Sequence, residues 1–236
     1  RKAVNELWDS QFRLPEPPDY LAMQSDVVTA LRAKFSAFDF GIEKNPLRIV
    51  KKAVEMPLGI FVGEWNQADE IEGRGRFYFN NGDLAEGMFK GGVLEGKGQL
   101  YTSSGHFFLG EWTQGKLQGK GKVISSDVTY EGDFVDSAKQ GKGTEVCANG
   151  LTYRGDFLAN DKHGEGVMKW GDGGIYEGGF KENHLSGYGK YAWADGKVYV
   201  GEWKRSQMHG QGKFTWPDGK VYEGSYECGK KHGQGK

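Results

Sequence analysis

One motif recurs over residues 61–236 and limits what the chain can fold into: an aromatic residue, any residue, glycine, any residue, a second aromatic residue, then Gly-x-Gly and a turn. A clear copy has Tyr199, Gly201 and Trp203, followed by Gly210-Gln211-Gly212. Copies begin about 23 residues apart, which is too short for a strand plus a crossover helix and favours a tandem β-repeat. The copies begin at Phe61, Ala85, Phe108, Tyr130, Tyr153, Tyr176, Tyr199 and Tyr222.

Each copy has the pattern of a β-hairpin, because it contains two short runs of strand-forming residues separated by turn residues. Pairs such as Asn81-Gly82, Asn149-Gly150 and Asp218-Gly219 tolerate the positive φ of a tight turn. The sequence therefore predicts a mainly β fold, an elongated single-layer antiparallel sheet of about eight tandem hairpins. The array occupies residues 61–236, and its last copy is incomplete.

The period of two along a strand places the aromatic and glycine positions on one face. Tyr199, Gly201 and Trp203 share this face in one strand, and Gly212 alternates onto it in the next. Glycine within a strand normally weakens the strand, but here it leaves room for a ring from the neighbouring strand. Glutamates of first strands and lysines of second strands fall on the other face, which we expect to be solvated. Because Ala85 lacks the leading ring, we expect weaker ring packing in the N-terminal half.

Residues 1–60 do not carry the repeat and are predicted to be a helical N-terminal extension. Apolar spacing predicts a short helix near residues 3–8 and a second helix with Ser25 at its N-cap. A third helix is predicted to begin at Asn45 and to end before Pro57. We expect these helices to cap the open end of the repeat array; the alternative is that their apolar stripe docks a partner.

The patterns argue against a catalytic site, a cofactor site and a metal site. Carboxylates recur in register, as on a surface, and not as a unique pair in a cleft. His163, His209 and His232 share one repeat position, but successive copies lie roughly 10 Å apart, too far to share one metal ion. The run from Gly91 to Lys97 has the spacing of a P-loop but falls between two strands. We predict a non-enzyme without a cofactor or a metal.

Charge and cysteine content bear on partners and location. The net charge of −1 gives no general attraction to nucleic acid, so no nucleic-acid partner is predicted. Cys147 and Cys228 lie at different repeat positions, which fits reduced thiols and a cytoplasmic location. Because the chain begins with Arg1 and not with Met, a mitochondrial or plastid location stays open.

The repeat resembles the MORN family (membrane occupation and recognition nexus), whose pattern is Tyr-x-Gly-x-Trp/Phe, a short spacer, Gly-x-Gly and an Asp-Gly turn. The segments Tyr130–Phe134, Tyr176–Phe180 and Tyr222–Tyr226 carry this resemblance. It implies scaffolding of cytoskeletal structures, cilia, organelle-division sites or membrane contact sites, and hence a cytoskeletal or ciliary association. It also implies phosphoinositide binding, which the balanced charge favours only weakly.

The resulting hypothesis is a non-catalytic interaction scaffold, or a structural subunit of a larger assembly, that binds a partner protein across the aromatic face. Two alternatives stay open: a regulatory or targeting segment of a larger enzyme, and a phosphoinositide- or membrane-binding module. Unpaired strands at the ends of an open sheet further predict a homodimer through the sheet ends. The residues predicted to contact the partner are Tyr153, Phe157, Trp170, Tyr176, Phe180, Tyr191, Trp193, Tyr199, Trp203, Trp216 and Tyr222.

Overall fold

The computed structural model describes residues 25–35, 38, 45 and 47–236. The chain divides into two compact units, Arg1–Ser125 and Ser126–Lys236, which are called the first unit and the second unit below. The described residues form one α-helix, α1 (Asp26–Lys34), and seventeen strands. The strands of the first unit are β1 (Ile49–Met56), β2 (Gly59–Trp65), β3 (Ile71–Phe79), β4 (Leu84–Lys90), β5 (Val93–Tyr101), β6 (Phe107–Thr113) and β7 (Lys116–Ile124). The strands of the second unit are β8 (Val128–Val135), β9 (Ala138–Cys147), β10 (Thr152–Leu158), β11 (Asp161–Lys169), β12 (Ile175–Lys181), β13 (His184–Ala192), β14 (Val198–Lys204), β15 (Gln207–Thr215), β16 (Val221–Glu227) and β17 (Lys230–Gly235).

Within each unit the strands form an open antiparallel sheet, in which each strand pairs with the next one in the sequence. Each repeat supplies a hairpin; in β14 and β15, Tyr199 lies opposite Phe214 and Gly201 lies opposite Gly212. The register then shifts at a bulge, where Gly210 has a φ of 55° that favours glycine. The predicted mainly β fold of consecutive hairpins is confirmed.

The glycines of the repeat make room for the leading ring, as the sequence predicts. A Cβ atom on Gly212 would overlap the ring of Tyr199, which crosses from the neighbouring strand. The Tyr199 hydroxyl donates a hydrogen bond to the carbonyl of Glu202 at 3.1 Å. Equivalent hydrogen bonds link Tyr153 to the carbonyl of Asp156 at 2.8 Å and recur in the other repeats of the second unit. The ring therefore fills the glycine slot, and its hydroxyl ties the strand to itself.

Leucine replaces the ring in part of the first unit. Phe61 lies against Gly75 as the tyrosines do, but Leu94 fills the slot beside Gly98 where Ala85 supplies no ring. Leu117 similarly contacts Gly110 in the following repeat. In these two repeats the leading ring is thus replaced by leucine, and the expected weakening of the ring packing in the N-terminal half stays a prediction.

The helix predicted to begin at Asn45 and end before Pro57 is wrong. Ile49–Met56 is strand β1, which pairs antiparallel with β2 and places Val54 opposite Phe61. The segment contains three β-branched residues, and the open edge of β2 offers it unpaired backbone groups. Tertiary pairing therefore overrides an apolar spacing that also fits a helix. The helix predicted near residues 3–8 lies outside the described residues.

Helix α1 begins where the sequence predicts, but it covers a face of the first unit's sheet, whereas the expectation was a cap on the end of the array. The Ser25 Oγ accepts a hydrogen bond from the Val28 amide at 3.2 Å, which is an N-cap. Val28 is fully buried, and Phe35 stacks on Phe107 with ring centroids 4.2 Å apart. The sheet side of this contact is a row of large apolar residues: Ile60, Tyr78, Leu84, Tyr101 and Phe107. This part of the sheet is thus not a single layer.

A buried glutamate also links the helix to the sheet. Glu86 is fully buried in β4 and accepts from Arg76 Nε at 2.8 Å and from Gln99 Nε2 at 2.8 Å. Arg32 of α1 lies 3.2 Å from the same carboxylate. Because a buried carboxylate needs charged partners, Arg32 adds an electrostatic contact to the apolar docking of α1.

Candidate partner-binding face

The aromatic face of the second unit is held together by a continuous ladder of rings. Each leading tyrosine contacts the second ring of its own repeat and the second ring of the next repeat; Tyr176, for example, packs against Phe180 and Trp203. Ring centroids along the ladder are 4.8 to 5.5 Å apart, with interplanar angles of 76° to 90°. Edge-to-face pairs of this kind stabilise packing beyond the area they bury. The ladder consists of Tyr130, Phe134, Tyr153, Phe157, Tyr176, Phe180, Tyr199, Trp203, Tyr222 and Tyr226.

Seven of the eleven residues predicted to contact a partner belong to this ladder, and six of them are buried and not part of the surface. Their exposed fractions range from 0% to 7%, so a partner cannot reach them unless the ladder opens. Each leading ring lies in a glycine slot. Each of the second rings Phe157, Phe180 and Trp203 packs against two leading tyrosines, one from its own repeat and one from the repeat before it. The six buried residues are Tyr153, Phe157, Tyr176, Phe180, Tyr199 and Trp203.

The other five predicted residues are half-buried, and four of them form a row with Phe214, which the sequence prediction did not include. Trp170 contacts Tyr191 with ring centroids 4.9 Å apart, and Tyr191 contacts Trp193 at 4.4 Å. Trp193 contacts Phe214 at 5.4 Å, and Phe214 contacts Trp216 at 4.5 Å. These five residues are called the aromatic row. Tyr222, the fifth predicted residue, is half-buried at the end of the ladder.

Backbone turns hold the aromatic row in place at the ends of β11, β13 and β15. Each tryptophan is the first residue of the turn that follows the strand. The amide of Trp193 donates to the carbonyl of Lys197 at 2.9 Å, and the amides of Trp170 and Trp216 make the corresponding hydrogen bonds at 2.9 and 2.8 Å. The rings are thus presented from rigid positions, which reduces the entropy lost when a partner binds.

Lysines lie beside the rings on the same face. Lys139, Lys162 and Lys231 lie directly opposite second rings of their repeats, where two other repeats have Leu185 and Met208. The ammonium of Lys139 is 4.9 Å from the centre of the Tyr130 ring, a cation–π contact. Lys231 is 4.8 Å from the ring centre of Trp216 and 4.2 Å from that of Tyr222.

Neighbouring turns fix the backbone of two of these lysines. The Asn160 Oδ1 accepts from the Lys139 amide at 2.9 Å, and the Asn183 Oδ1 accepts from the Lys162 amide at 2.9 Å. Both asparagines have positive φ, 76° and 66°, which asparagine tolerates in tight turns. The turn of one repeat therefore anchors the lysine of the repeat before it.

Glu145 is a charged residue at a position of the aromatic face where the other repeats have apolar or aromatic residues. It is 7% exposed and forms ion pairs with both Lys139 and Lys162. Burial raises the pKa of the Glu145 carboxyl, but hydrogen bonds from the two lysines outweigh this effect and hold the pKa below its usual range. The three residues carry a net charge of +1 on the aromatic face.

The opposite face of the second unit is charged and solvated, as predicted. Exposed Glu177 lies opposite exposed Lys190, and exposed Glu223 lies opposite exposed Lys213. Such cross-strand pairs suit a wet face.

A separate cavity lies among the hairpin turns of the second unit. Its volume is about 500 Å³, and four of its lining residues can carry positive charge while one is acidic. The lining residues are Lys181, Glu182, His184, Ser186, Lys204 and Arg205.

The described residues offer neither a cluster of metal ligands nor a membrane-spanning helix. No group of three or more His, Cys, Asp or Glu residues among them is arranged to hold a metal ion. No helix formed by these residues has the length and apolarity needed to cross a bilayer.

The family model of the MORN repeat matches eight segments of the sequence: residues 61–84, 86–107, 108–127, 130–152, 153–175, 176–198, 199–221 and 222–236. Because these matches cover most of the chain in eight successive repeats, the protein belongs to the MORN repeat family. Repeats of this family are generally modules for interaction with proteins or membranes.

Among solved structures, the chain is similar to the TCP domain of SAS-4 (dCPAP) of Drosophila melanogaster, in complex with a proline-rich motif of Ana2 (dSTIL). The identity is 14%, the match covers 65% of this chain and 84% of that chain, and the TM-score is 0.38. A likeness at this level says nothing about the partner of this chain. None of the curated proteins compared with the chain matches it.

Proposed function

We propose that the protein is a non-catalytic interaction scaffold that binds a segment of a partner protein across the aromatic row of the second unit. The observation that carries this proposal is the contiguity of five half-buried rings, each with part of its surface open to solvent. Aromatic residues in preformed positions supply most of the binding energy in many protein interfaces. A cytoskeletal or ciliary location belongs to the proposal and rests on the family alone.

The spacing of the row sets the size of the bound segment. From β11 to β15 the row crosses four strand spacings, or about 19 Å. That distance corresponds to a helix of about 13 residues, or to an extended segment of about six. A segment of this size can be recognised as a helix in a groove or as an extended chain.

The test is selection of binders from a displayed library of random 20-residue peptides on the intact chain, followed by affinity measurement with variants. Trp193→Ala should weaken the binding of selected peptides by at least about tenfold, because truncation of a central aromatic anchor removes a hot spot. Tyr188→Ala is the matched control, since Tyr188 is an aromatic residue on the opposite face with 66% exposure. Circular dichroism should show both variants folded.

The proposal is wrong if no selected peptide depends on Trp193. It is also wrong if Tyr188→Ala and Trp193→Ala weaken binding equally, because binding would then not be specific to the aromatic face.

A second candidate function is contact with anionic lipid headgroups through the basic cavity. Lys181, Lys204 and Arg205 outnumber Glu182 in its lining, and each basic residue near an anionic bilayer contributes about 1 kcal/mol. Sedimentation with phosphatidylcholine vesicles, with and without a phosphoinositide, tests this candidate. Binding should require the anionic lipid and should be lost in the Lys204→Gln/Arg205→Gln variant; equal binding to both vesicles would contradict it.

A further inference from the structure

The aromatic face carries different charge in the two units. In strands β2 to β7 of the first unit, the positions that share a face with the glycines contain no charged residue. The same positions in the second unit contain three lysines, Lys139, Lys162 and Lys231, and one carboxylate, Glu145. The strand positions of this face in the second unit are thus aromatic and net positive, although the whole chain has a net charge of −1. In the turns beside the aromatic row, Asp195 and Asp218 pair with Lys197 and Lys220, and Asp172 adds one negative charge near Tyr191.

The fold itself does not require lysine at these positions. Leu185 and Met208 occupy the same place opposite a second ring, and Leu94 and Leu117 occupy it in the first unit. The side chain of Lys162 is only 13% exposed, and removing an ammonium from water is unfavourable unless the charge is used. Leucine would serve the packing as well, and Glu145 balances only one of the two charges on Lys139 and Lys162, so a net positive charge remains available to a partner.

The lysines bracket the aromatic row. Lys139 and Lys162 lie on β9 and β11 at one end of it, and Lys231 lies on β17 at the other end, against the ring of Trp216. From β11 to β17 there are six strand spacings, or about 29 Å. A helix of about 19 residues, or about nine residues of extended chain, would reach from one positive site to the other.

From this arrangement we infer that the segment bound by the aromatic row is an acidic one, with apolar anchors in its middle and carboxylates near both of its ends. This inference rests on the proposed function and names the chemistry of the partner. Cationic groups beside an apolar surface select partners by charge complementarity and speed their association. Lys139 and Lys162 share one carboxylate, so a carboxylate of the partner would neutralise the remaining positive charge; Lys231 would contact the second acidic end.

The peptide selection also tests this inference, because the composition of the binders is read out. Among peptides whose binding requires Trp193, Asp and Glu should exceed Lys and Arg. For the best of them, Lys231→Met should weaken binding about three- to tenfold at low salt, with the effect reduced at high salt. Lys213→Met is the matched control, because Lys213 is an exposed lysine on the opposite face, and it should leave the affinity unchanged.

Glu145→Gln should change the affinity for acidic peptides in the direction opposite to Lys231→Met. It removes the only carboxylate of the cluster, so acidic peptides should bind about threefold more tightly at low salt. Because this variant can also lower stability, its melting temperature is measured separately, and Lys231→Met in the exposed strand β17 keeps the test independent of it.

Failure of the inference differs from failure of the proposed function. If binders require Trp193 but show no excess of acidic residues, or if Lys231→Met and Lys213→Met act equally, the partner is not acidic while the binding face stands. If no binder requires Trp193, the binding face itself is wrong. Loss of peptide binding on addition of phosphatidylserine vesicles, with the lysines bound to the vesicles, would assign these charges to a lipid surface and overturn the acidic-segment inference.

Discussion

Tyr176 shows why tyrosine leads the repeats of the second unit. Its ring is fully buried against Gly178 and Gly189, and a larger residue at either glycine would overlap it. Its hydroxyl donates to the carbonyl of Gly179 at 3.0 Å, beside the bulge. Phenylalanine could fill the same slot but would lose this hydrogen bond. A single tyrosine side chain thus fills the glycine slot and donates a hydrogen bond to a backbone carbonyl.

We expect Tyr176→Phe to lower the free energy of unfolding by about 1 kcal/mol or slightly more, since a buried hydrogen bond is lost. Tyr188→Phe, at an exposed position, should change it by less than about 0.5 kcal/mol. Urea titration followed by tryptophan fluorescence measures both. Equal effects for the two variants would mean that the buried hydroxyl contributes nothing.

Helix α1 explains a difference between the repeats of the two units. The residue before the leading aromatic is large in the first unit, as at Leu84 and Phe107, and α1 covers it. In the second unit the same position holds Thr129 and Thr152 in two repeats and aliphatic residues in the other three, of which Ile175 and Val221 are exposed. The same strand position is therefore buried under α1 in the first unit and open to solvent at Ile175 and Val221 in the second unit.

Two adjacent valines of α1 provide a direct comparison. Val28 is fully buried against the sheet, whereas Val27 is 43% exposed. Val28→Asp should destabilise the first unit by more than about 3 kcal/mol, because it places a carboxylate in an apolar contact. Val27→Asp should change stability by less than about 0.5 kcal/mol. Binding of the dye ANS should rise for the first variant alone; a rise for both would contradict the docking of α1.

The sequence predicts hairpins and glycine slots well, because both follow from spacing within one repeat. It mispredicts β1, since eight residues with apolar spacing fit a helix until the open edge of β2 is available. It also cannot separate Tyr199, which enters a glycine slot, from Trp193, which ends a strand beside a turn. That distinction depends on the position along the strands: Tyr199 lies against Gly201 and Gly212, whereas Trp193 begins the turn after β13 and contacts Phe214. The residues that α1 covers include Leu84 and Phe107, which are large and apolar in the sequence. The repeat pattern alone does not predict that a helix covers them.

At the scale of the molecule, the ladder is stabilised by contacts between adjacent repeats, because its rings contact rings of their own repeat and of a neighbouring repeat. The interior of the second unit has no separate apolar layer among its described residues; rings and glycines take its place. Because the ladder maintains the fold, positions such as Lys139, Glu145 and Lys231 can differ from one repeat to the next. Single repeats can therefore carry the residues that recognise a partner protein.

The ladder tyrosines make stability sensitive to high pH. Burial, the largest cause, raises the pKa of Tyr130, Tyr153, Tyr176 and Tyr199 above the ordinary value near 10, and it raises the pKa of Tyr226 to about 12. In the unfolded chain these groups ionise near pH 10, before they can ionise in the fold.

The stabilisation from keeping the phenols neutral is fully present below pH 10 and is lost as the pH rises through the folded-state values, so the second unit should unfold cooperatively above about pH 10 to 12. Tyrosinate absorbance at alkaline pH should rise together with the loss of the near-ultraviolet circular dichroism of the stacked rings. Tyr176→Phe should lower the tyrosinate amplitude without removing this coincidence. A gradual rise centred near pH 10, with the ring signal unchanged, would show that the ladder admits water and that its tyrosines are not held in the interior of the sheet.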